Sequence, residues 1–239
     1  MKKFIISLGL FIPILFFMGC DDNEIKNHII AKIPEASGIS YCENSDTLVV
    51  ANDEGKFYEI DKNGKILNTH LLGKYDLEGV VCEDDRFVFA LEDGKILTVE
   101  RKTLTQNLIH IEGLEKLKKN SGIEGITKVG KNFILSSQSK EKDDARLIII
   151  TLKSDGAKVE DTIASEIIDS SGLEYKEDKL YVVSDKKDKL YLFDIDKEKI
   201  IKKIDLPPFA VEGVALDNDG NIWFSDDDGA VLRYKFKDL

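Results

Sequence analysis

Five times along this chain an acidic or hydroxyl residue stands directly before a glycine and a β-branched or leucine residue. The five are Ser37-Gly38-Ile39, Glu78-Gly79-Val80, Glu124-Gly125-Ile126, Ser171-Gly172-Leu173 and Glu212-Gly213-Val214. A second set keeps step with them: Glu92, Gln138, Asp185 and Asp226 each follow their glycine by thirteen positions, and Asp53 follows Gly38 by fifteen. Gathered about one axis, the first set forms a ring of three carboxylates and two hydroxyls, and the second a ring of four carboxylates and one amide. So many like charges cannot all ionise side by side without a counter-charge. Carboxylate, hydroxyl and amide oxygens are the donors of a hard cation, which favours Ca²⁺ over zinc or copper. Glu78, Glu124, Glu212, Ser37 and Ser171 are the candidate ligands, with Asp53, Glu92, Gln138, Asp185 and Asp226 as a second channel ring. A plainer alternative stays open. Acids in a channel can bond to backbone N–H groups of a neighbouring element, to water or to lysines, and acids at strand ends beside turns are often only solvated.

The elements that must position these residues follow from the spacing. The glycines lie 41, 46, 47 and 41 residues apart, and a period of ~40–50 residues with several strands per repeat is that of a propeller. Within each repeat the second strand is apolar on both faces: Leu48–Val50, Phe87–Phe89, Phe133–Leu135, Tyr181–Val183 and Ile222–Phe224. An antiparallel sheet with one wet face would alternate, so these strands must be covered on both sides, as when blades stack. The inner strand of each blade lines the central channel, where a residue without Cβ permits close approach. The last repeat ends one strand short. Residues 214–239 and 21–37 together supply 43 positions, one full repeat. The expected fold is therefore all-β: a five-bladed β-propeller of four-stranded antiparallel blades over 28–239, closed by His28–Ile33 as the outer strand of the last blade.

Composition sets the outer bounds. The chain has 239 residues, 42% of them hydrophobic, enough for one domain with a real core. Its net charge of -11 would repel nucleic acid and anionic membrane surfaces and attract cations. Residues 1–19 read as a targeting segment, with Lys2 and Lys3 before the apolar run Phe4–Phe17. Phe17-Met18-Gly19-Cys20 resembles a bacterial lipobox, which makes Cys20 the lipidated residue and 20–27 a tether to the bilayer, on the periplasmic side of the cell envelope. Two further cysteines remain, Cys42 and Cys82. They lie four and three residues past their repeat glycines, so their side chains point to opposite faces of the pleat. Two buried free thiols are the favoured expectation, although an oxidising compartment would permit a disulfide.

Catalytic signals are thin. His28, His70 and His110 fall on or near outer strands, away from the channel mouth. Arg86, Arg101, Arg146 and Arg233 share no register, and there is neither a G-x-S-x-G elbow nor a phosphate-cradling glycine loop. Two readings remain: a non-catalytic calcium-binding module with an unidentified small molecule or protein at its top face, or a calcium-dependent phosphoesterase or lactonase using a metal-held water.

Three stretches carry a resemblance: Glu35-Ala36-Ser37-Gly38-Ile39, Leu180-Tyr181-Val182-Val183-Ser184-Asp185, and Phe209–Asp217 with Gly220-Asn221-Ile222-Trp223. With them, residues 28–239 resemble the SdiA-regulated family of bacterial envelope proteins. That resemblance implies a five-bladed propeller, a bound calcium ion and no established activity. More remotely the Glu-Gly repeat is similar to phytase-like and apyrase-like calcium propellers.

Overall fold

The computed structural model describes residues 25–115, 122–154 and 156–239. The leader, the Gly19-Cys20 box and most of the tether lie outside the described residues. Within them the chain is almost entirely strand, and no helix is long and apolar enough to cross a membrane.

Strand β1 (Ile29–Lys32) opens the fold, and five units follow. The first is β2 (Ala36–Cys42), β3 (Thr47–Asn52), β4 (Lys56–Asp61) and β5 (Ile66–Leu71). The second is β6 (Leu77–Cys82), β7 (Arg86–Leu91), β8 (Lys95–Glu100) and β9 (Gln106–Glu112). The third is β10 (Ile123–Val129), β11 (Asn132–Ser137), β12 (Arg146–Lys153) and β13 (Gly156–Ala164). The fourth is β14 (Ser170–Lys176), β15 (Lys179–Ser184), β16 (Lys189–Asp194) and β17 (Lys199–Asp205). The last, β18 (Val211–Leu216), β19 (Asn221–Asp226) and β20 (Ala230–Lys235), takes β1 as its fourth strand in the order β1-β20-β19-β18. Each unit is an antiparallel meander, and the whole is propeller-like. One feature departs from separate blades. Outer strands β9 and β13 pair in parallel at Ile111–Ala157 and Glu112–Lys158, joining the second and third units into an eight-stranded sheet. The nine-residue β13 reaches its neighbour and satisfies backbone groups that an outer edge would otherwise leave open.

The second strands are buried along nearly their whole length, as their two-sided apolar pattern requires. They feed five apolar clusters that lie in the seams between successive units. One of these joins the two ends of the order: Trp223 and Val231 of the last unit pack with Val50 and Ile60 of the first. The five inner strands, β2, β6, β10, β14 and β18, touch one another in succession, and β18 touches β2.

Every inner strand carries a β-bulge at the same place. Leu77 pairs with Leu91 and Gly79 with Ala90, so Glu78 has no partner opposite it. Glu124, Ser171 and Glu212 are skipped in the same way, and an extra residue sits between Ala36 and Ile39. A bulge re-aims the side chain it carries. The glycine beside it is required by crowding: a Cβ on Gly38 would stand 2.5 Å from the Glu78 carbonyl oxygen and 2.8 Å from the Gly79 Cα.

The cysteine expectation is overturned. Cys42 and Cys82 form a disulfide across the seam between the first and second units, with their Cα atoms 5.3 Å apart. The two side chains do project from opposite faces of their own sheets. Stacked blades, however, meet by opposite faces, so opposite parity is what brings the sulfurs together.

Candidate metal centre

The bulges aim the motif residues at one end of the inner strands, where the second strands also finish. There a cavity of about 190 Å³ is lined by Ser37, Asp53, Glu78, Glu92, Glu124, Gln138, Glu212 and Asp227. Below it the channel narrows to about 10 Å³ between Ile39, Val80, Ile126, Leu173 and Val214, hardly room for one water. The mouth is thus a dead-end bowl, and every group lining it is a carboxylate, hydroxyl or amide.

Its electrostatics follow from that lining. Burial first, then the Glu124 carboxylate and other acids, push Glu78 up to about 10. Burial and the same neighbour raise Glu212 to about 9. Glu124, only 8% exposed, is raised to about 7 by burial and by Glu92. Asp53 is likewise lifted to about 7, by burial and then by Asp76 and Asp227. Glu92 is raised through its hydrogen bond with Asp76, then by burial. The bowl holds protons because its acids are buried first and crowded together second, and a cation would take the protons' place.

Carboxylate oxygens of Asp53, Asp76 and Glu78 lie within 4.8 Å of one another, close enough to share one ion. Asp53 Oδ1 is buried there with no hydrogen-bond partner. A buried acceptor left unmatched is costly unless something else satisfies it, and a hard cation does so. The residues present therefore fit a metal ion.

The rings read from the sequence sort into two groups. Glu78, Glu124 and Glu212 reach the bowl with Asp53, Glu92 and Gln138. The two serines clip neighbouring units instead: the Ser37 hydroxyl donates to the Leu77 carbonyl, and that of Ser171 to the Val211 carbonyl at 2.7 Å. Ser37 still borders the bowl, while Ser171 lines the narrow channel below. Asp185 accepts a backbone bond from Val211 rather than lining the bowl. Asp226 pairs with Val211 in the sheet and accepts the Asp228 amide at 3.1 Å. Its neighbour Asp227 takes the bowl position, because Gly213 pairs with Ser225, one position further along the chain than the matching pairs of the second, third and fourth units, which shifts the register. Asp76 was missed. It stands two residues before Glu78, as Glu35 and Asp169 stand before their serines, so a search for a third acidic ring would have found it.

The histidines stay clear of the bowl. The His28 ring stacks on Tyr234 with centroids 3.8 Å apart, and His70 lies 4.8 Å from Phe57.

A family model described as SdiA-regulated matches residues 22–237. The chain belongs to the SdiA-regulated family. Among solved structures, this SdiA-regulated protein is similar to the crystal structure of Myxococcus xanthus glutaminyl cyclase. The TM-score is 0.65 at 13% identity, over 86% of this chain and 94% of that one. At that identity the likeness is one of fold alone. Comparison with curated proteins finds no match.

Proposed function

We propose that this SdiA-regulated protein is a five-bladed, ring-closed β-propeller that binds Ca²⁺ in its acidic bowl. It serves as a non-catalytic binding module of the cell envelope. The observation that carries the reading is the convergence of Asp53, Asp76 and Glu78 within 4.8 Å around the orphaned Asp53 oxygen. Glu124 and Glu212 complete the acidic wall. Ring closure is supported by the cyclic contacts of the inner strands and the seam joining the last unit to the first. Calcium suits the site because its donors are hard oxygens on a many-membered wall, which accommodates the larger and less geometrically strict ion.

Envelope location rests on the lipobox-like Phe17–Cys20 and a tether from Cys20. The Cys42–Cys82 disulfide supports it independently, since such bonds persist in oxidising compartments and are rare in the cytosol. The non-catalytic reading is preferred because, among the described residues, the bowl is lined by carboxylates with Ser37 and Gln138 and by no arginine, lysine or histidine. Among these described groups a phosphate ester would meet only like charge. The ion thus stabilises the mouth and presents it to an unidentified ligand at the top face.

Calcium titration by calorimetry on the mature chain tests this. Wild type should bind, and Asp76→Asn and Glu78→Gln should bind far more weakly. A hydrolase screen with and without EDTA tests the enzymatic alternative: calcium-dependent turnover lost in Glu124→Gln would reject the non-catalytic reading.

A further inference from the structure

We infer that the end of the molecule opposite the acidic bowl lies against a phospholipid bilayer, so that the bowl opens away from the membrane. This rests on the proposed lipidation of Cys20. The direction of β1 decides it. Inner strands start at the bowl and run away from it, so second strands return to it and third strands leave again. β20 is a third strand, with Ala230 at the bowl end and Lys235 at the far end. β1 runs antiparallel to it, Lys32 opposite Ala230 and Ile29 opposite Leu232. The chain therefore enters the fold at the far end.

That entry point is fixed. Ile25 packs with Ile29, Phe236 and Leu239 against the apolar cluster of the last seam. The His28 ring, stacked on Tyr234, bonds through Nδ1 to the Arg233 carbonyl at 3.0 Å. Only four residues lie between Cys20 and Ile25, and the five steps from one to the other can reach at most ~17 Å. An inner strand of six or seven residues is itself ~20 Å long. The tether is too short to let the far rim swing round and bring the bowl down to the lipid.

Charge at the far end is mixed. A hollow of about 560 Å³ beside the entry point carries Lys62, Arg233 and Lys235 against Asp219 and Asp238. Among the described residues the bowl carries carboxylates as its charged groups. Within a screening length of ~8 Å the hollow's cations attract anionic headgroups, while exposed Glu43, Asp46, Asp84, Asp85, Glu177 and Asp178 in the turns at the same end repel them. Charge therefore does not decide the orientation, and the path of β1 does.

The test uses the full chain, lipidated during expression and reconstituted in vesicles of phosphatidylethanolamine and phosphatidylglycerol. Two variants that each add one free thiol to the last unit, Lys237→Cys just past β20 at the far end and Asp228→Cys in the β19–β20 turn at the bowl end, carry an environment-sensitive fluorophore, with Cys20 and the Cys42–Cys82 disulfide left in place. Headgroup-spin-labelled lipid then quenches each. The Lys237 probe should be quenched several-fold more strongly than the Asp228 probe. Equal quenching, or the reverse order, in a chain that floats with the vesicles overturns the orientation alone. A mature chain whose mass shows no acyl group and which does not float overturns the lipid anchor, and the orientation with it.

Discussion

At the scale of single residues, the bowl is a set of carboxylates whose protons are held by burial and by one another. Glu78, Glu212, Glu124 and Asp53 are raised to about 10, 9, 7 and 7. A carboxyl raised above its unfolded value of ~4 stabilises the fold while protonated. That stability is complete below the unfolded value and drains away as pH rises through the native one. The metal-free protein should accordingly melt at progressively lower temperature from about pH 4.5 to pH 9, and saturating calcium should flatten the profile. Melting curves in EDTA and in calcium across that range check this; a metal-free protein most stable at pH 8 would contradict it. Glu78→Gln removes the most strongly raised group. It should stabilise the metal-free chain at pH 8 by roughly 1–3 kcal/mol while abolishing the calcium-induced rise in melting temperature.

At the scale of elements, the bulge is the device that turns a strand residue into a bowl residue, and its glycine cannot be replaced cheaply. A Cβ on Gly172 would lie 2.6 Å from both the Glu212 carbonyl oxygen and the Gly213 Cα. Backbone on both sides must shift, so Gly172→Ala should cost roughly 2–4 kcal/mol in urea unfolding. The Cys42–Cys82 bond closes a loop of 40 residues between two units. Reducing it should cost up to about 4 kcal/mol by its loop length, read from denaturant midpoints with and without dithiothreitol. Much of this level was legible in the sequence. The Glu-Gly repeat marked the inner strands and their close approach, though not the bulges themselves, and the two-sided apolar second strands marked the stacking. The disulfide was not, because pleat parity was judged within one sheet, whereas the relevant contact is between sheets that face each other from opposite sides. Asp227 was hidden by a single extra hairpin residue, and Asp76 by a spacing that only the bowl makes meaningful.

At the scale of the whole molecule, the ends of the chain meet in one sheet, and the fold depends on that meeting. β1 reaches across to β20, and Ile33 behind it is fully buried in the seam between the last unit and the first. Ile33→Ala should destabilise by about 2–4 kcal/mol and broaden the unfolding transition as the closing strand frays; an effect under ~0.5 kcal/mol, the ordinary range of surface changes, would argue against ring closure. Asp53, Asp76 and Glu78 come from the adjacent first and second units, and the proposed closure is what adds Glu212 of the last unit to the same wall. The most direct measurement is mass-spectrometric metal analysis of the mature chain after stripping with EDTA and dialysis against calcium and magnesium. The expected result is stoichiometric calcium, retained by the wild type and lost in Glu78→Gln. A correctly folded wild type carrying no calcium, or the same amount as Glu78→Gln, would contradict it.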